Sequence, residues 1–168
     1  MGKSTSIAKL SVCRRNVFER VGAINHSDWN EVTADRNIFL SLKYLAALES
    51  AMKNSIHFYY VISYNESDQP ILVSAFQLVV FEDKRRKYSN HLAKLAHQIK
   101  SDFFNPFVIN IMVCGNVFSD GENGFLWKNI SSSEAVNEVA LIAEKLKEDK
   151  RIKEKSSITL FKEFWPSS

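Results

Sequence analysis

The sequence predicts an α/β, or α+β, fold: a mixed, mostly antiparallel sheet flanked by helices. Three observations predict it. Residues 57–64 and 71–81 are runs rich in aromatic and β-branched side chains, separated by a short polar turn closing on Pro70, which is the pattern of an antiparallel hairpin. Residues 107–114 are mostly aliphatic, started by Pro106 and stopped by Gly115, as suits a strand covered on both faces. Leu42, Leu45, Leu48 and Met52 recur at helical spacing.

Taken in order, residues 1–10 read as a loose, flexible end and residues 11–168 as a single domain. Residues 17–21 alternate apolar and polar side chains, predicting a first strand ended by Gly22. Asp28 and Trp29 fall in a turn or short helical piece. From Ile38 the pattern becomes helical, with Ser41 as the candidate N-cap of the first helix. The hairpin follows, and its second strand is long enough to lie at the centre of the sheet. Asp83 is a candidate cap for another helix, striped by Tyr88, Leu92, Leu95, Ala96, Ile99 and Phe103. After the strand at 107–114 and a glycine-rich loop, Ser131 and Glu134 have the spacing of a capping box. They open a helix marked by Val136, Val139, Ala140, Ala143 and Leu146. The charged run at 145–155 suits a helix end, where positive charge complements the dipole. Residues 157–164 read as a last strand whose outer edge needs a cover, either from another chain, as in a dimer, or from the rest of a larger protein.

Composition bounds the function. A chain of 168 residues with 45% hydrophobic and 24% charged side chains is an ordinary globular protein, long enough to bury a core. Twenty-two Lys plus Arg against 19 Asp plus Glu leave a net charge of +3, too little to imply a polyanionic partner. Cys13 and Cys114 form neither a disulfide framework nor a metal motif. His91 and His97 are six apart and face different ways on one helix, and His26 and His57 have no evident partners, so no metal is assigned. With no export signal and no apolar run of membrane-spanning length, the expected location is cytoplasmic.

The glycine-rich loop is the main candidate site. Gly115, Gly121 and Gly124 are interleaved with Asn116, Ser119, Asp120, Glu122 and Asn123, and such a loop lets a ligand approach the main chain. The helix start at Ser131 and Ser132 would add backbone N–H groups that attract phosphate, making the unit a candidate anion cradle. A long surface turn is the other reading, because the loop is neither a Walker loop nor a dinucleotide fingerprint.

The order of elements resembles the GNAT acyltransferase core. More narrowly, residues 37–49 (NIFLSLKYLAALE) are similar to an early segment of the FemAB-like and peptidoglycan-biosynthesis-like N-acyltransferases, and residues 114–125 (CGNVFSDGENGF) to the glycine-asparagine loop of that group. The resemblance implies that acyl-CoA lies between the strand before the loop and the next strand, with its pyrophosphate on the following helix start. It assigns donor binding to Cys114, Gly115, Asn116, Gly121, Gly124, Ser131 and Ser132. The compact Arg/Gln-x-x-Gly-x-Gly/Ala signature is absent and the loop is longer than in that family. The helix and strands that normally follow the last strand are missing too, so the chain resembles an N-terminal half with an incomplete core. The implied activity transfers an acyl or aminoacyl group from a CoA or similar donor to an amine.

Amide formation needs a base to free the amine and donors for the tetrahedral oxyanion. Glu122, in the loop facing the implied cleft, is the candidate base, and Cys114 is either a nucleophile or an inert strand cysteine. Two other functions remain open. One is a non-catalytic interaction module that pairs through its last strand. The other is a nucleic-acid or phospholigand binder using the basic cluster at 84–87.

Overall fold

A computed structural model describes residues 12–82, 108–118, 124–148 and 157–161. Its strands are β1 (Arg14–Phe18), β2 (Ile56–Tyr64), β3 (Pro70–Glu82), β4 (Val108–Cys114), β5 (Phe125–Trp127) and β6 (Ser157–Phe161). Its α-helices are α1 (His26–Thr33), α2 (Leu42–Met52) and α3 (Ser132–Lys147). The strands form a six-stranded sheet in the order β1-β2-β3-β4-β6, with β5 also paired to β3. Every pairing is antiparallel except that of β4 with β6. The expected mixed, mostly antiparallel sheet flanked by helices is therefore present.

The central hairpin is continuous and apolar because both of its faces are covered. Phe58, Tyr60, Ile62 and Tyr64 of β2 pack with Trp29 and Val32 of α1 and Leu45 of α2. On the opposite face Tyr59, Val61, Leu72, Phe76 and Met112 meet Ala135, Val139, Ile142, Ala143 and Leu146 of α3. Parallel neighbours cannot be joined by a tight turn, and α3 lies on the path from β4 to β6. The hairpin turn is held by Asn65, whose side chain accepts from Ser67 N–H at 3.0 Å and Gln69 N–H at 2.9 Å.

Several boundaries differ from the sequence expectation. The first strand lies earlier, at Arg14–Phe18, because Val17 and Phe18 pair with Val61 and Tyr60. The chain then leaves the sheet, and buried Val21 opens a 3-10 turn that contains Gly22. Of the turn or short helical piece expected at Asp28 and Trp29, the structure has the helix, α1, whose N-cap Asn25 accepts from the N–H groups of Ser27 and Asp28. The helical pattern read from Ile38 is a 3-10 turn over Ile38–Leu40, and the α-helix begins after the expected N-cap, Ser41, which is extended and whose hydroxyl accepts from Tyr44 N–H. In α3 the buried stripe is Ala135, Glu138, Val139, Ile142, Ala143 and Leu146, whereas Val136 is 42% exposed. The helix expected after Asp83, the basic cluster at 84–87 and the end of the last strand lie outside the described residues.

A polar knot sits within the α3 face. Glu138 is fully buried and accepts from Arg15 Nε at 2.5 Å and Arg15 Nη2 at 2.6 Å, while the buried Ser63 hydroxyl donates to it at 2.7 Å. One carboxylate thus ties α3 to β1 and β2. No helix among the described residues is long and apolar enough to cross a membrane.

Candidate functional site

The glycine loop interrupts a strand. Along β3, Phe76 pairs with Cys114 of β4 and Ser74 with Phe125 of β5. Two steps on β3 correspond to eleven on its partner (76 − 74 against 125 − 114), so the chain between Cys114 and Phe125 is nine residues longer than an unbroken ladder needs. Ala75 faces both ends of the break. Its carbonyl accepts from Gly115 N–H at 2.9 Å, and its N–H donates to Gly124 O at 2.8 Å. Beyond Cys114 neither β4 nor β6 continues among the described residues, and β5 resumes the ladder along β3 alone.

This geometry explains two of the glycines. Gly115 has φ 110°, in a region that side chains with a Cβ rarely adopt. At Gly124 a Cβ would lie 2.7 Å from Cys114 Sγ and 2.9 Å from its carbonyl carbon. The two ends of the excursion pass too closely for a methyl group. Both glycines therefore close the neck of the loop.

The polar groups just past the neck are satisfied from the α2 side of the sheet. Asn116 is buried; its Nδ2 donates to the Tyr44 hydroxyl on α2, and its Oδ1 accepts from Phe118 N–H at 2.9 Å. Val117 N–H donates to Gln77 Oε1 of β3 at 3.0 Å. Tyr44 and Gln77 are the anchoring residues that sequence reasoning missed. The signal for Gln77 was its place as one of only two polar residues, with Ser74, in the run at 71–81.

The structure brings Cys114, Gly115, Asn116 and Gly124 together, but it separates them along the chain from Ser131 and Ser132. The expected order of strand, loop and helix gains a strand, β5, and residues 128–130 before the helix begins. Ser131 and Glu134 form the expected capping box: Ser131 Oγ accepts from Glu134 N–H at 3.3 Å, and Ser131 N–H donates to Glu134 Oε2 at 2.9 Å. A carboxylate already occupies the position at this helix start that favours negative charge. Ser132, the first residue of the helix, is exposed. Gly121 and the candidate base Glu122 lie outside the described residues, as does Asp120.

The outer edge of β5 carries no strand among the described residues. Its end is fastened to α1. Arg36, just past the helix, donates through Nη2 to Trp127 O at 3.0 Å and Val32 O at 2.6 Å, and Lys128 pairs with Glu31.

Cys114 is buried, and that burial pushes its thiol well above the ordinary range. It remains a protonated, inaccessible thiol at neutral pH, which opposes a nucleophilic role. An Ellman-type disulfide reagent is expected to label only the exposed Cys13 in the folded protein and both thiols after denaturation. Rapid labelling of Cys114 in the native state would restore it as a candidate nucleophile. Among the described residues no group of three His, Cys, Asp or Glu side chains could hold a metal ion.

Compared with protein-family models, curated proteins and solved structures, the chain has no significant match.

Proposed function

We propose that this chain is a GNAT-like N-acyltransferase, or the N-terminal half of one, transferring an acyl or aminoacyl group from CoA or a similar carrier to an amine. The observation that carries this reading is the broken strand. β4 and its parallel neighbour β6 pair as far as Cys114 and Phe161, the excursion begins there, and β5 continues with an outer edge bearing no strand among the described residues. An exposed strand edge can hydrogen-bond an extended ligand, and the acyltransferase resemblance assigns the donor between the strand before the loop, β4, and the next strand of the expected order, β6, past the last pair they form at Cys114 and Phe161. In the reaction the amine nitrogen attacks the thioester carbonyl. The C–N bond forms, a base takes the proton from the nitrogen of the tetrahedral intermediate, the C–S bond breaks, and that proton passes to the departing sulfur, which leaves as a thiol. Glu122 is the base this reading assigns.

A second reading, a non-catalytic interaction module, is favoured by one specific observation. The polar groups at the neck are already paired within the protein, and Glu134 occupies the start of α3. Calorimetric titration with acetyl-CoA and longer acyl-CoAs separates the two. The transferase reading expects saturable binding that Gly121→Val abolishes. It also expects Glu122→Gln to bind the donor while turnover with an amine falls about 10²–10⁴-fold. No heat with any donor, from a chain with an intact melting transition, would move the assignment to the interaction module.

A further inference from the structure

We draw no further inference here: the strongest candidate, the surface patch on the α2-side face of β6, where Ile158 and Leu160 are 48% and 47% exposed beside Ile111 and Val113 of β4, carries nothing because nothing in the structure shows what covers it.

Discussion

Glu138→Ala is expected to destabilise the protein by about 3–5 kcal/mol, because it leaves a charged partner and a hydroxyl without their acceptor. Glu138 has no exposed surface and holds Arg15 through both carboxylate oxygens, with the buried Ser63 hydroxyl on one of them. Arg15 keeps 21% of its side chain exposed and can turn partly toward water when its partner is removed. Glu138 points inward from α3 and has no such escape. Arg15→Met, which removes the cation but fills its space, should therefore cost more than Glu138→Gln. The combined Arg15→Met/Glu138→Leu/Ser63→Ala protein should recover most of the loss, since well-packed apolar replacements of buried ion pairs are often neutral or better. Urea midpoints of these variants decide the matter. A loss below about 1 kcal/mol for both Glu138→Ala and Arg15→Met would place the pair among ordinary surface salt bridges and remove it as a fastening of α3.

The same residue illustrates what a sequence makes legible. Apolar periodicity finds α3 but passes over Glu138, because a charged residue at a buried position contradicts the pattern being sought. Only the crossing of α3 over β1 and β2 brings Arg15 and Ser63 to it. The hairpin is legible because composition and turn chemistry agree: apolar strands enclose Asn65, which closes the turn with its own side chain. β5 is not legible. Three residues are too few for a period, and their pairing with Leu72–Ser74 is distant in sequence. The capping box at Ser131 is a local pattern and is present as expected, yet the carboxylate that completes it also occupies the helix start read as an anion cradle. For the glycine loop, sequence indicates where the backbone must be unusual. That Gly115 and Gly124 pinch together on either side of Ala75 depends on register, which spacing cannot supply.

Trp29→Ala is the second large effect, an expected loss of about 3–5 kcal/mol from removing a fully buried aromatic side chain. The indole does two things at once. Its ring meets Tyr60 edge-on, with centroids 6.1 Å apart and planes at 85°, filling the space between α1 and β2. Its Nε1–H donates to Leu40 O at 2.8 Å, tying α1 to the 3-10 turn that precedes α2. Two substitutions separate the contributions. Trp29→Phe keeps much of the apolar volume but leaves the Leu40 carbonyl without that donor, and should cost about 1–3 kcal/mol. Tyr60→Phe keeps the ring contact and removes the hydroxyl that donates to Glu49, so its loss should add to that of Trp29→Phe only if the indole bond and the tyrosine bond act independently. Circular dichroism should follow unfolding, because removing Trp29 changes the fluorescence itself. If Trp29→Phe equals Trp29→Ala, the bond to Leu40 governs the site. If Trp29→Phe is nearly neutral, packing against Tyr60 governs it, and the link between α1 and α2 must be carried by the apolar contacts of Val32, Leu40 and Leu45.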